Sequence, residues 1–135
     1  LKNKGIDSYV KTLPYRLTTV EKDMLLDEAD QVVSTTTEIL TDGITTGKYV
    51  IHKEQLATVQ SKIKSYEGKV QYLLKKGISE ERKQELQESL SILTQLDEVL
   101  QKSVNHGKLE TLWEAEGLLL DYMLVLNRYV PADLK

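Results

Sequence analysis

The sequence predicts an all-helical domain, and three observations lead to this prediction. Apolar residues recur at intervals of three and four along most of the chain, which is the spacing of one helix face. No stretch alternates apolar and polar residues in the way that a half-buried strand does. Only 2 prolines and 7 glycines occur in 135 residues, which favours few and long elements. Because this length suits one domain, we expect residues 1–135 to form a single helical unit.

Local signals define the first two predicted helices. A short helix is expected from about Asp7 to Thr12, and Pro14 ends it because proline disfavours a helical residue before it. The second helix is expected to begin at Thr18, because Thr18 and Glu21 have the spacing of a capping box. Gly43 suits the position just past the end of that helix, so the segment that follows is predicted to be a loop.

The third helix has the most regular pattern of the chain. Its apolar and aromatic positions alternate in steps of three and four, which is a heptad seam and predicts a long helix nearly parallel to its partners. Gly77 is expected to end this helix in the left-handed conformation. The members of the seam are Tyr49, His52, Leu56, Val59, Ile63, Tyr66, Val70 and Leu73.

Two further long helices complete the prediction. Ser79 is the expected N-cap of the fourth, which continues in a leucine-rich stripe as far as residues 105–107. The fifth runs from residue 109 to about residue 129, where Pro131 stops it. Its interior is apolar nearly all round, which is typical of a helix that is covered on several sides. We therefore expect about five main helices, with the last two long and antiparallel and the fifth at the centre of the fold.

Charge is distributed unevenly around a net value of −3. Residues 1–47 hold 5 basic and 8 acidic residues, residues 48–76 hold 7 and 2, and residues 77–135 hold 6 and 11. The negative total provides no general attraction to nucleic acid or anionic lipid, so neither is expected as a partner. The basic middle segment indicates either charge complementarity between neighbouring helices or an anion-binding face.

Several chemistries are excluded or disfavoured by composition. The absence of cysteine excludes disulfides, thiolate zinc sites, iron–sulfur clusters and cysteine nucleophiles. No run of eighteen apolar residues and no secretory signal is present, so we expect a cytoplasmic chain without a membrane span.

Motifs for metal binding and catalysis are also missing. His52 and His106 lack the Glu-x-x-His pattern of bundle di-iron sites, and no phosphate-binding loop or nucleophile elbow occurs. We therefore expect no catalytic residue, no metal site and no enzymatic activity.

A few side chains remain as candidates for binding. Arginine grips carboxylates well, and Arg16 and Arg128, each beside a tyrosine, are the candidates for a ligand head group, with ordinary surface arginines as the alternative. His52 is a third polar candidate, although a hydrogen-bonded histidine at the rim of the core fits its place on the seam. Gly68 and Gly117 remove side chains within helices, which allows either close helix crossing or room for a ligand.

The chain resembles a known family along its full length. The features that prompt this are the capped start at residues 18–21, the helix from Tyr49 to Gly77, and the helices that begin at Ser79 and Leu109. Together they resemble the N-terminal sensor domain of Bacillus sporulation histidine kinases and its free-standing homologues, which act as sporulation inhibitors. The resemblance implies a globin-like fold without haem, an apolar tunnel for a fatty acid, and a homodimer. A proximal histidine before the last two long helices is absent, in agreement with a haem-free domain.

The resemblance implies a function that is carried out by binding. The chain would take up a fatty acid and inhibit sporulation by titrating signal from a sensor histidine kinase. The alternative is a helical protein-interaction adaptor or chaperone that has no small-molecule ligand. Helix faces, rather than the family, supply the expected apolar lining of the ligand pocket: Leu56, Val59, Ile63, Tyr66, Leu93, Leu119 and Met123.

Overall fold

The described part of the protein is all-helical, as predicted. The computed structural model describes the backbone of residues 19–134 and the side chains of residues 20–127. These residues form α1 (Thr19–Thr46), α2 (Lys53–Leu74), α3 (Glu80–Asn105) and α4 (Leu109–Leu134), and none of them is in a strand. The short helix expected at residues 7–12 lies outside the described residues. The other four predicted helices are all present.

The four helices form a closed ring of antiparallel neighbours. Each helix contacts the next one along the chain, and α4 also contacts α1. Hydrogen bonds join Gln60 to Asp97 and Tyr66 to Ser89. Residue numbers therefore increase along α2 in the direction in which they decrease along α3, so the two helices are antiparallel. Short connections between helices favour this arrangement. The two long helices predicted at the end of the chain are present as α3 and α4, which share the most extensive contact.

The core lies along the axis of this ring. The heptad seam of α2 faces inward, where four of its side chains are buried and Leu56 and Ile63 are partly buried against them. The seam is therefore used inside the bundle rather than for a partner helix. The largest fully buried side chains are Tyr66, Tyr122, Leu25, Ile51, Leu86, Leu93, Leu96, Leu100 and Leu112.

The helix ends differ from the prediction at two glycines. Helix α1 continues past Gly43 to Thr46, and the left-handed residue that follows it is Gly47, with a φ of 71°. Gly43 is buried instead, and a Cβ atom there would lie 3.1 Å from Leu112 Cδ1, so this glycine allows α1 to approach α4. Gly77 is not left-handed, because α2 ends in a tight turn in which the Lys76 N–H bonds to the Leu73 carbonyl.

Helix α4 is covered by its two neighbours but not on its outer face, so the expectation of a central fifth helix is wrong. Leu120 and Leu124 are 52% and 60% exposed, and Glu116 and Asp121 lie on the solvent side as well. The reason is the ring arrangement, in which α4 contacts α3 and α1 and presents its remaining face outward. Within the described residues no helix, α4 included, is long and apolar enough to cross a membrane.

Candidate functional site

An open groove lies between the first half of α1 and the second half of α2. Its volume is about 780 Å³, and its surface is mostly apolar. Helix α1 contributes Val20 and Met24 from one face, and α2 contributes Tyr72 from the opposite side. Each of these three side chains is at least 43% exposed, so the groove is open to solvent rather than closed within the core.

Gly68 of α2 lines the groove at a point where no side chain occupies the space. A Cβ atom at this position would have nothing within 4 Å, so the glycine does not serve a close helix crossing. It leaves space between the helices instead, which is the second of the two roles considered for it from sequence. Tyr72 follows Gly68 by one helical turn and forms the wall beside this space.

Charged side chains of opposite sign border the groove on its two sides. Lys64 and Lys69 line it from α2, and Glu21 and Glu28 line it from α1. The Lys76 ammonium lies over the Tyr72 ring, 4.9 Å from its centroid, which is a cation–π contact beside the groove. An elongated apolar ligand with a negative head would place that head beside the lysines of α2 and away from the carboxylates of α1.

A second polar feature lies in the core rather than in the groove. The Tyr66 hydroxyl is 2.7 Å from Ser89 Oγ, and Ser89 donates to the Leu86 carbonyl at 2.6 Å. Burial raises the pKa of Tyr66 to about 12, because an apolar environment disfavours the phenolate, and the hydrogen bond with Ser89 offsets part of that rise. The Tyr122 hydroxyl is buried nearby without a hydrogen-bond partner, and burial raises the pKa of Tyr122 further still.

The seven residues predicted to line a ligand pocket lie in or beside the packed core. Four of them are buried, Leu56 and Ile63 are partly buried, and Met123 is 38% exposed on α4. The structure brings Tyr66 of this set against Tyr122, but the open groove is lined by other residues. The buried members are Val59, Tyr66, Leu93 and Leu119.

Of the polar candidates, His52 is the one whose side chain belongs to the described residues, and it does not line the groove. His52 is exposed at the N-cap of α2, where its backbone N–H donates to Gln55 Oε1 at 3.0 Å. It lies at the opposite end of α2 from Gly68 and Tyr72. Arg16 lies outside the described residues, and so does the side chain of Arg128 on α4. His52 is therefore the N-cap residue of α2, and the contact made there is that of its backbone N–H.

Sequence reasoning missed most of the residues that line the groove. Val20, Met24 and Tyr72 lie outside the seam and the main apolar stripes, and Lys64 and Lys69 resemble ordinary surface lysines. One signal was available in the sequence, because Gly68 interrupts a regular helix one turn before an aromatic residue that does not belong to the seam. That combination indicates a gap with an apolar wall.

Neither a candidate metal site nor a similar known protein adds to the description of the groove. In the part of the chain that the structure describes, no three His, Cys, Asp or Glu side chains are grouped so that they could hold a metal ion. No family model matches the chain, and neither a curated protein nor a solved structure matches it.

Proposed function

We propose that this chain is a non-enzymatic, signal-sensing domain that binds an apolar carboxylate such as a fatty acid. The observation that supports it is the apolar groove over Gly68, with Lys64 and Lys69 at its side. Ligand sites commonly measure about 300–1,000 Å³ and combine apolar walls with a few polar groups. The groove fits this description, with Val20, Met24 and Tyr72 along the acyl chain and the two lysines near the carboxylate.

The groove is a better site for the acyl chain than the core pocket expected from sequence. Tyr66 and Leu93 are fully buried among other side chains, and Leu119 is 4% exposed. Protein cores are close-packed, so an acyl chain between these residues would have to displace them. A ligand in the groove needs no such repacking, because Gly68 already leaves the space open.

The biological role within this proposal comes from the family resemblance. A cytoplasmic domain that sequesters a fatty acid would inhibit sporulation by titrating the signal of a sensor histidine kinase. The globin-like arrangement, the absence of haem and the homodimer also remain predictions of that resemblance. Sedimentation at high micromolar concentration tests the homodimer, and a monomer throughout that range would contradict it.

Two matched glycine variants test ligand binding. Gly68 and Gly117 both lie within helices with nothing within 4 Å of a Cβ atom, so a side chain added at either position begins in open space. Gly68→Leu places a side chain in the groove, whereas Gly117→Leu adds the same side chain to the outer face of α4. Refolded, delipidated protein is mixed with micromolar hexadecanoic acid and examined by native mass spectrometry.

We expect one bound hexadecanoic acid per chain in the wild type and in Gly117→Leu. Gly68→Leu should bind at least about tenfold more weakly, a difference of about 1.4 kcal/mol. Absence of binding to the wild type would contradict the fatty-acid proposal. Equal binding by the wild type and Gly68→Leu would show that the ligand lies elsewhere, as in the core pocket.

An adaptor that binds another protein is the second candidate function. The observation that favours it is the exposed apolar face of α4, on the part of the molecule that the groove does not use. The two surfaces are formed by different helices, so the two functions can be tested separately.

A further inference from the structure

The outer face of α4 carries an apolar seam of its own. Trp113, Leu120 and Leu124 are 58%, 52% and 60% exposed, and with Gly117 they follow steps of four, three and four residues. This is the spacing of the a and d positions of a heptad, in which one helix presents a continuous stripe to another. The buried residues of α4 occupy the opposite side of the helix, so the seam points away from the bundle.

This outer seam is more than a scatter of exposed apolar residues. Single hydrophobic side chains on a surface are ordinary, whereas a contiguous apolar patch marks a site of interaction. A Cβ atom at Gly117 would have nothing within 4 Å, so the middle of the seam is open to close approach by another backbone. Small residues at a helix face permit such an approach, with the large side chains on either side packing around it.

The flanks of the outer seam are acidic. Glu114 and Asp121 lie on one side of it and Glu116 lies on the other, and all three are exposed. No lysine or arginine occurs between residues 109 and 127. These three residues occupy the e and g positions, at which two paired helices exchange charge contacts, and Glu110 stands at the a position that precedes Trp113. The charge of this face is therefore of one sign along the described length of the seam.

The acidic charge beside the outer seam indicates which kind of partner can bind there. Two α4 helices paired in parallel would place Glu116 opposite Asp121 of the second copy, and an antiparallel pair would also bring acidic flanks together. An anionic membrane surface is repelled for the same reason. A helix with lysine or arginine beside its own apolar seam would instead bury the apolar stripe and neutralise both flanks.

We propose that the outer face of α4 is the docking site for a basic amphipathic helix of another protein. The partner has apolar residues at the a and d spacing, which pack on Trp113, Leu120 and Leu124, and cations on either side of them. The inference rests on α4 alone and is independent of the ligand groove between α1 and α2. It deepens the adaptor function by stating the chemistry of the partner.

The experiment uses the intact protein and two designed peptides. One peptide has leucine at the a and d positions and lysine at e and g, and the other has glutamate in place of the lysines. Trp113 is the only tryptophan of the chain, so its emission reports directly on the seam while neither peptide contains tryptophan. Like charges along each peptide oppose its self-association, which keeps both peptides available for binding.

We expect the lysine peptide to shift the emission of Trp113 to the blue at micromolar concentration, with an affinity that falls as salt is added. The glutamate peptide should bind at least tenfold more weakly. We expect Leu120→Lys and Leu124→Lys each to lower the affinity for the lysine peptide at least tenfold, because they place a cation in the apolar seam. Ile44→Lys is the control, since Ile44 is 40% exposed on α1 and should change the affinity less than twofold.

Several results would overturn this inference. The inference would be contradicted by equal affinity for both peptides or by no binding of either one. It would also be contradicted if the emission of Trp113 in the free protein were already typical of a buried indole. Self-association that Leu120→Lys abolishes would assign the face to a second copy instead, and a shift of the emission on anionic vesicles would assign it to a membrane. Gly68→Leu should leave peptide binding unchanged, so failure here is distinguishable from failure of the ligand proposal.

Discussion

The rings of Tyr66 and Tyr122 meet edge to face in the centre of the bundle, with centroids 5.3 Å apart and an angle of 84° between their planes. This contact joins α2 to α4, which are not neighbours in the ring of helices. Edge-to-face pairs of this kind contribute about 0.5–1.5 kcal/mol beyond the area that they bury. The two hydroxyls differ, because Tyr66 is hydrogen-bonded to Ser89 and Tyr122 has no hydrogen-bond partner.

Removing the two hydroxyls separately should therefore give different stabilities. Tyr66→Phe loses a buried hydrogen bond and should lower the free energy of unfolding by about 1 kcal/mol. Tyr122→Phe removes a buried polar group that has no partner, so stability should stay the same or rise by up to about 1 kcal/mol. Urea unfolding followed by circular dichroism measures both. A larger loss for Tyr122→Phe than for Tyr66→Phe would show that the Tyr122 hydroxyl has a partner after all.

The protein should lose stability in alkali because of the same pair. The pKa of Tyr66 is raised from 10.0 in the unfolded chain to about 12 in the fold, so the fold retains a proton that the unfolded chain has lost. The corresponding stability is fully present below pH 10 and disappears as the pH rises through about 12. The loss is about 3 kcal/mol for Tyr66, and the raised pKa of Tyr122 acts in the same direction.

Urea unfolding between about pH 9 and pH 12 measures this loss. The control is the double variant Tyr66→Phe/Tyr122→Phe, whose stability should depend less steeply on pH, while all other groups that titrate in alkali are common to both proteins. Parallel pH profiles for the two proteins would contradict the assignment of the effect to the buried tyrosines.

Gly107 should be the glycine that tolerates alanine least among those in the connections between helices. A Cβ atom there would overlap the Lys48 carbonyl oxygen and Val50 Cγ2, because the connection before α4 packs on the connection before α2. We expect Gly107→Ala to lower the free energy of unfolding by about 1–3 kcal/mol. Gly77→Ala is the control, since a Cβ atom at Gly77 would have nothing within 4 Å, and should change stability by less than about 0.5 kcal/mol. Identical urea midpoints for the two variants would argue against the close packing of these connections.

The lysines of the groove should recognise the carboxylate of the ligand but not its acyl chain. The double variant Lys64→Gln/Lys69→Gln should bind hexadecanoic acid about tenfold more weakly, since an ion pair in an open groove is partly screened. Its affinity for hexadecanol should match that of the wild type. Lys53→Gln/Lys75→Gln removes the same charge at the two ends of α2, outside the groove, and serves as the control. Equal losses in the two double variants would point to a general effect of charge.

Much of the helical framework was predictable from local signals. Ser79 was expected as an N-cap, and its Oγ accepts from the Arg82 N–H at 3.3 Å at the start of α3. The seam of α2 was expected to be apolar, and its members Val59, Tyr66 and Val70 are buried. Both patterns act within a few turns of one helix, so a single sequence contains them in full.

The candidate site was less predictable, because it depends on which helix faces remain uncovered. Met123 was expected to line a pocket but is partly exposed on α4, and His52 proved to be a helix cap. Gly68 was recognised as a gap in α2, but nothing in its neighbourhood along the chain shows that Val20 and Met24 of α1 lie across it. That proximity comes from the antiparallel pairing of α1 with α2.

The sequence by itself determined an all-helical chain, most helix ends and the inward seam of α2, since capping and heptad spacing are local properties. Only the tertiary structure decided that Leu120 and Leu124 face solvent and that a groove opens over Gly68. The physical reason is that periodicity shows a helix face to be apolar but does not specify what covers it. In a ring of four helices each helix is covered from two sides only, so part of a helix that is apolar nearly all round remains outside.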